Sequence, residues 1–207
     1  MLYLLPGMGA DASMYAGPWR RLRDVRCVDW PPYAGERTLS ELAQRMIEVY
    51  GISPDDEIGG TSLGGMVALE LVRRLGQPRV LLLSSAVSRR EVNPLLRMLS
   101  PLIPIAPFGL AKAIIGRSRR ASATMLRRSN PRFLREMCRA VVNWEGCPGP
   151  CGGVVRIHGD RDWMIRCPPD AHKVAGAGHL AVLTHAEQCV QLVETHWMPI
   201  HSTSSSR

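Results

Sequence analysis

The stretch EIGGTSLGG, residues 57–65, decides the fold of this chain. Gly60, Ser62 and Gly64 give it the spacing G-x-S-x-G, which is typical of a sharp turn from a buried strand into a helix. Such a turn strains the backbone of the serine, so residues without bulky side chains must flank it. The turn leaves the serine hydroxyl exposed above the sheet, beside the backbone N–H of the next residue. The stretch therefore predicts a nucleophile at Ser62.

The sequence on either side of this stretch has the form that the turn requires. A short run ending in Ile58 and two glycines comes before Ser62, and strong helix formers follow at residues 66–72. Gly76 stands where a glycine caps the C-terminus of a helix. Because Gly-rich turns of other α/β proteins also show this spacing, its meaning depends on the rest of the chain.

The composition indicates a folded protein with one sizeable domain. The chain has 207 residues, of which 45% are hydrophobic and 21% are charged. No apolar run reaches the ~18 residues that cross a bilayer. The first residues, MLYLLP, lack a basic leader, so we expect a cytoplasmic protein without a transmembrane segment.

Predicted strands alternate with predicted helices along most of the chain. The strands are expected at residues 2–5, 26–30, 79–85, 154–158 and 173–175, together with the strand before Ser62. Thr38 and Glu41 have capping-box spacing and predict a helix that ends at Gly51 and buries Leu39, Leu42, Met46 and Val49. A last helix is expected at residues 186–197. This alternation predicts a parallel sheet with helices on both faces, whose ligands bind at the carboxyl ends of the strands.

The segment 88–148 interrupts this alternation. It contains no convincing strand, is rich in proline, and has helical stretches at residues 110–115 and 133–142. Eleven arginines and Lys112 against three glutamates leave it with a net charge of +9, whereas the whole chain carries +8. Its arginines could attract anionic partners or substrates, or they could simply be solvated. They are not interleaved with aromatic residues, so the sequence gives little support to nucleic-acid binding.

Six cysteines are scattered over the chain, which is too long to need a disulfide scaffold. Cys147 and Cys151 lie close together, but no second pair completes a zinc site. We therefore expect free cysteines or one loop disulfide, and no metal.

Ser62 needs a base to accept its proton and an acid to orient that base. His179 is the best candidate base, because it follows a strand and a glycine-rich loop. Asp160 and Asp162 are both candidates for the acid, since they follow the strand that ends at His158, which itself fits a structural role. The backbone N–H of Leu63 and that of Met8 in the first glycine-rich turn are the expected oxyanion donors.

Four motifs in this order resemble those of the α/β-hydrolase superfamily. They are LPGMG at residues 5–9, GTSLGG at 60–65, HGDRD at 158–162 and GAGH at 176–179. The resemblance spans nearly the whole chain. It implies a minimal, mostly parallel sheet of about six strands with helices on both faces and a helical cap. The core would comprise residues 1–87 and 149–200, the cap 88–148, and a disordered tail 201–207.

The resemblance also implies a function for the site. Together with the spacing H-G-x-x-D, it favours Asp162 over Asp160 as the partner of His179, and it implies an acyl-enzyme at Ser62. The expected substrate is a small-molecule ester or thioester, and no cofactor is expected. An acyltransferase or a lyase with the same three residues is the alternative. The chain departs from the family pattern at Pro6, Thr61 and Arg166, which blurs the choice of subfamily.

Overall fold

Six parallel strands form one sheet in the part of the chain that the computed structural model describes, residues 1–94, 129–147 and 153–198. The strands are β1 (Leu2–Leu5), β2 (Val25–Cys27), β3 (Glu57–Thr61), β4 (Arg79–Leu83), β5 (Gly153–Gly159) and β6 (His172–Val174). Their order is β2-β1-β3-β4-β5-β6, and every neighbouring pair is parallel. The prediction of a minimal parallel sheet is confirmed.

The strand order reverses between β1 and β3. The chain runs outward from β1 to β2 and then returns to place β3 on the other side of β1. Ligands of open parallel sheets bind in the crevice at such a reversal, beyond the carboxyl ends of the strands. Pro6 and Gly7 follow β1, and Ser62 follows β3. The turn after β1 and the turn after β3 therefore flank this crevice.

Helices join the strands, and the first two α-helices end at the glycines where the sequence predicts. The α-helices are α1 (Leu39–Tyr50), α2 (Leu63–Leu75), α3 (Pro131–Asn143), α4 (Ala181–Thr184) and α5 (Ala186–His196). Short 3₁₀ helices cover Ala12–Tyr15, Gly17–Arg21 and Arg89–Glu91. The capping box of Thr38 and Glu41 opens α1. Gly51 and Gly76 end α1 and α2 in the left-handed conformation that glycine adopts without strain.

The two faces of the sheet are covered by different helices. Tyr3 and Leu5 of β1 point into a core formed with α1, α2 and α3. Leu2 and Leu4 point to the opposite face, where they pack with α4, α5 and the first two 3₁₀ helices. This alternation follows from the two-residue period of a strand, and it buries both faces of the sheet. A leucine buried as fully as Leu4 contributes roughly 1.5–3 kcal/mol to folding.

Two local predictions are wrong. Val49 was expected to be buried, but it is 43% exposed, because it lies in the last turn of α1 at the edge of the buried face. The second strand ends at Cys27 instead of continuing to Trp30. The Val28 N–H still donates to the Leu4 carbonyl at 3.1 Å, and the chain then leaves the sheet, where both Asp29 and Trp30 bond to other turns.

Part of the predicted cap is described and part is not. Helix α3 confirms the helix expected at 133–142, whereas the helix expected at 110–115 and the tail 201–207 lie outside the described residues. The division into core, cap and tail therefore remains a prediction. Cys147 is disulfide-bonded, and Cys27, Cys138, Cys167 and Cys189 are free.

Candidate active site

Ser62 occupies the strained turn between β3 and α2. Its backbone has φ 54° and ψ −117°, a combination that costs on the order of 1–3 kcal/mol for a residue other than glycine. Hydrogen bonds from its neighbours hold this conformation. The Ser62 N–H donates to the Leu83 carbonyl at 3.0 Å, and the Ser85 hydroxyl donates to the Ser62 carbonyl at 2.7 Å. The end of β4 therefore fixes the turn that exposes the Ser62 side chain.

Close backbone contacts explain the glycines on either side of Ser62. A Cβ atom at Gly60 would overlap the backbone of Gly64. A Cβ atom at Gly64 would overlap the carbonyl oxygens of Leu5 and Pro6. These contacts bring the first turn of α2 directly against the end of β1. As a result, the turn after β1 lies next to Ser62.

A chain of hydrogen bonds joins Ser62 to His179 and Asp162. The Ser62 Oγ and the His179 Nε2 are 2.9 Å apart, and the His179 Nδ1 and the Asp162 Oδ2 are 2.8 Å apart. A carboxylate only accepts, so the Nδ1–H of His179 donates to Asp162 and Nε2 is left to accept the Ser62 proton. The Asp162 side chain is fully buried, and that of His179 is 9% exposed.

Asp162 receives four N–H groups, which fix both of its oxygens. Oδ1 accepts from the backbone of Met164 at 2.9 Å and of Ile165 at 3.1 Å. Oδ2 accepts from His179 and, at 3.0 Å, from the Nε2 of His158. Burial alone would raise the pKa of Asp162, but the hydrogen bonds from the two histidines and the Ile165 backbone hold that pKa well below its usual range. Asp162 is therefore a firmly held carboxylate.

Asp160, the other candidate acid, has a different partner. Its Oδ1 accepts from the backbone N–H of Gly176 at 2.7 Å, which ties its turn to the loop before His179. This contact is typical of an aspartate that shapes a turn. The structure thus joins Asp162, and not Asp160, to His179 by a hydrogen bond.

Sequence reasoning missed the contact between His158 and Asp162. The sequence indicates a structural histidine at the end of β5, and its ring is indeed buried. Its Nε2 also lies 3.0 Å from both Asp162 Oδ2 and the Ile165 carbonyl. Because both of these atoms are acceptors, the ring proton must lie on Nε2. The four-residue spacing from His158 to Asp162 is the signal in the sequence that indicates this contact.

The turn after β1, residues 6–10 and hereafter the Gly7 turn, lies against Ser62. A Cβ atom built on Gly7 would be 3.8 Å from the Ser62 Cβ, an ordinary contact distance. Within the described residues, the backbone N–H groups of Met8 and Leu63 donate to no protein acceptor. Leu63 is also the first residue of α2, so its N–H lies at the positive end of the helix dipole. Both N–H groups remain available to a ligand at Ser62.

The sequence departs from the family pattern at Thr61, and the hydroxyl of this residue forms a hydrogen bond with a tyrosine. The Tyr15 hydroxyl lies 2.7 Å from the Leu5 carbonyl and 2.8 Å from the Thr61 hydroxyl. All three residues are buried. This pair joins the ends of β1 and β3 directly behind Ser62. Threonine is therefore a structural part of the site at this position.

Aromatic and apolar side chains surround the Gly7 turn. The ring centroid of Phe133 on α3 lies 5.7 Å from that of Trp30 and 6.2 Å from that of Tyr33. The Met8 sulfur lies 3.6 Å from the Cys138 Sγ, also on α3. The sequence of segment 88–148 also contains an apolar run from Leu95 to Ile105, which lies outside the described residues, as do the arginines from Arg97 to Arg128.

Two features are absent from the described residues. Among them, no three His, Cys, Asp or Glu side chains come together as ligands for a metal ion. None of the helices described is both long and apolar enough to cross a bilayer.

Comparison with known proteins identifies the class. The model of the alpha/beta hydrolase family matches residues 2–192, and the chain belongs to this family. The comparison with curated proteins gave no match.

Solved structures show the same fold at low sequence identity. An esterase from Thermogutta terrifontis superposes with a TM-score of 0.74 at 15% identity, covering 94% of this chain and 88% of its own. An enol-lactonase from Burkholderia xenovorans LB400 gives 0.76 at 18% identity, with coverages of 94% and 89%. RedJ, a thioesterase of the prodiginine pathway in Streptomyces coelicolor, gives 0.71 at 19% identity, with coverages of 94% and 89%. At these identities the likeness establishes the fold alone.

Proposed function

We propose that this protein is a serine hydrolase that cleaves a carboxylic ester or thioester through an acyl-enzyme at Ser62. The observation that carries the proposal is the unbroken chain of hydrogen bonds from Ser62 through His179 to Asp162. A serine hydroxyl is a weak nucleophile unless a base accepts its proton. His179 is placed to accept it, and Asp162 holds the tautomer that makes this possible.

The reaction follows from these positions. His179 accepts the Ser62 proton as Oγ attacks the carbonyl carbon, and the negative charge moves to the carbonyl oxygen. The N–H groups of Met8 and Leu63 stabilise that oxyanion. The imidazolium, paired with ionised Asp162, returns the proton to the departing alcohol or thiol. Water then attacks the acyl-enzyme with His179 as its base, which releases the acid and regenerates Ser62.

The surroundings of the Gly7 turn favour an apolar acyl group. Met8, Trp30 and Tyr33 are partly buried and pack against the core cluster that contains Phe133, which gives the surroundings of this turn an apolar character. The bonds named for the three structural neighbours, esters, a thioester and an enol lactone, are all cleaved by attack on an acyl carbon. Burying one methylene group is worth about 0.8 kcal/mol, so kcat/KM could rise by up to about fourfold for each added methylene.

An acyltransferase or lyase with the same residues is the alternative within the family. An acyltransferase would form the acyl-enzyme and pass the acyl group to a nucleophile other than water. A lyase would use His179 for proton transfer without acylating Ser62. Binding of anionic partners by the basic segment 88–148 is a separate hypothesis that involves none of these three residues.

The test is a kinetic panel of p-nitrophenyl esters and N-acetylcysteamine thioesters of increasing chain length. We expect a burst of p-nitrophenol, followed by steady turnover whose kcat/KM rises from the acetate. Ser62→Ala should abolish turnover and leave the circular dichroism spectrum unchanged. A burst without turnover until an acceptor alcohol or amine is added would indicate the acyltransferase. Wild-type rates in folded Ser62→Ala protein would overturn the proposal.

A further inference from the structure

Trp30 contacts the Gly7 turn through a hydrogen bond that the proposed mechanism does not use. The chain leaves β2 at Cys27, and the half-buried Trp30 donates its indole Nε1–H to the Gly7 carbonyl at 3.0 Å. The bond spans 23 residues of sequence, so it is a tertiary contact and no part of the local turn.

The carbonyl that Trp30 holds belongs to the peptide group that carries the Met8 N–H. A peptide group is planar, and in its trans form the C=O and the N–H point in opposite directions. No peptide bond described here is cis. Fixing the direction of the Gly7 carbonyl therefore fixes the direction of the Met8 N–H. If this peptide rotated, its oxygen would face Ser62 and repel the developing oxyanion.

The Gly7 turn has little internal means of preventing that rotation. Glycine lacks the Cβ that restricts backbone rotation in other residues. The Gly7 N–H donates to the thioether sulfur of Met14 at 3.3 Å, a weak acceptor. Inside the turn, one hydrogen bond holds the carbonyl, that from the Ala10 N–H at 3.1 Å. The indole supplies the second.

Helix α3 in turn supports the indole and the following side chain. The Trp30 ring packs on Phe133 with a centroid distance of 5.7 Å and an interplanar angle of 44°. The Met8 sulfur contacts Cys138, five residues after Phe133 on the same helix. The peptide between Gly7 and Met8 is thus held from the carbonyl side by Trp30 and from the side-chain side by α3.

We propose that Trp30 is a positioning residue that orients the Gly7–Met8 peptide so that the Met8 N–H faces the oxyanion. This inference rests on the proposed function, because it assigns Trp30 a role in that reaction. Losing an oxyanion donor altogether lowers kcat by ~100- to 1,000-fold. Since the Ala10 N–H still holds the Gly7 carbonyl, loss of the indole N–H alone should lower kcat by about 5- to 20-fold. KM should change by less than about twofold, because the donor acts mainly on the transition state.

The test removes the indole N–H while keeping the ring. Trp30→Phe is the simple variant, and benzothienylalanine incorporated at position 30 replaces the N–H by sulfur with almost no change of shape. The matched control is Trp197→Phe, which also removes an indole N–H. The Trp197 indole donates to Glu57 at 3.1 Å, at the amino end of β3, whereas Ser62 follows the carboxyl end of that strand. For each protein we would measure kcat, KM, thermal unfolding and the inhibition constant of an alkyl trifluoromethyl ketone, whose adduct with a serine is an oxyanion.

We expect both Trp30 variants to lower kcat and to weaken the ketone by the same factor, with the pH dependence of kcat unchanged. Trp197→Phe should lower only the melting temperature. Wild-type kcat and ketone affinity in the benzothienylalanine protein would overturn the assignment, and so would a loss confined to stability or to KM. A wild-type protein that neither hydrolyses esters nor binds the ketone would overturn the proposed function, and this inference with it. An active wild type with unaffected Trp30 variants would overturn this inference alone.

Discussion

Two segments lie at the carboxyl ends of the strands, the Gly7 turn after β1 and the loop with Asp162 after β5. Hydrogen bonds hold these two segments in opposite ways. In the Asp162 loop, residues 159–166, the Asp162 carboxylate accepts four N–H groups, two from the backbone of the loop and two from the rings of His158 and His179. In the Gly7 turn, Trp30 and Ala10 donate to the Gly7 carbonyl, which belongs to the same peptide group as the Met8 N–H. A group that acts as a charge can be saturated with donors, whereas an N–H that must bind a ligand has to stay unpaired. Its position is therefore set through its peptide partner.

This difference predicts different responses to substitution. In the proposed mechanism Asp162 acts through its carboxylate, which four hydrogen bonds fix, so a change of that carboxylate should be severe. The Gly7 turn is held by several weaker contacts, so single changes there should have graded effects.

The largest effect should come from Asp162→Asn, compared with Asp160→Asn. An amide at position 162 can turn its NH₂ toward His179 and favour the wrong tautomer, so kcat should fall by roughly 10⁴-fold. Asp160 accepts from the Gly176 backbone and has no bond to His179, so its amide should retain kcat within about threefold. Steady-state kinetics of both folded variants decide between them. A larger loss from the Asp160 change would reverse the assignment.

Alanine substitutions at Gly64 and Gly7 should have different effects, the first on stability and the second on activity. Gly64→Ala would press a methyl group into the Leu5 and Pro6 carbonyls, so it should cost about 2–4 kcal/mol of unfolding free energy. Gly7→Ala meets only ordinary contacts and should change stability by less than about 1 kcal/mol. Its methyl group would lie beside the Ser62 Cβ, where the substrate carbonyl must enter, so kcat/KM should fall roughly 10- to 100-fold.

Urea unfolding and ester kinetics of the two glycine variants provide the check. If Gly7→Ala were as unstable as Gly64→Ala and equally active per folded molecule, the Gly7 turn would be a structural element and no part of the site.

The smallest effect should be a pH dependence of stability that is specific to the Asp162 loop. The pKa of Asp162 is depressed in the folded protein, so the unfolded chain binds its proton more readily in acid. The stabilisation from Asp162 is present above the ordinary aspartate pKa of about 3.9 and is lost as the pH falls below it. Unfolding free energies between pH 6 and pH 3 should therefore fall more steeply in the wild type than in Asp162→Asn. Equal slopes would contradict the strong hydrogen bonding of this carboxylate.

Sequence reasoning reached the parts of the site that lie within short motifs. The order of strands and helices follows from local periodicity and from glycine and proline positions, which are properties of adjacent residues. The predicted partners Ser62, Asp162 and His179 each follow a strand, and parallel strands bring such positions to one edge. The structure brings these three side chains together, although their catalytic roles stay a proposal.

The parts that sequence reasoning did not reach depend on contacts between distant segments. No local pattern indicates that Trp30 bonds to Gly7 or that Tyr15 bonds to Thr61. The early end of β2 has the same cause, because tertiary bonds of Asp29 and Trp30 outweigh the strand preference of the sequence around them. Val49 was misplaced because periodicity gives the direction of a side chain but not where the packed surface ends.

Covalent trapping would show whether Ser62 becomes acylated. The protein would be treated with a fluorophosphonate, and separately quenched in acid within the burst phase of a p-nitrophenyl ester. Intact mass and peptide mapping would then locate the adduct. We predict one adduct per molecule on the peptide containing Ser62, with none in Ser62→Ala. Turnover of the ester without an adduct, or an adduct on Ser84 or Ser85, would show that Ser62 is not the nucleophile.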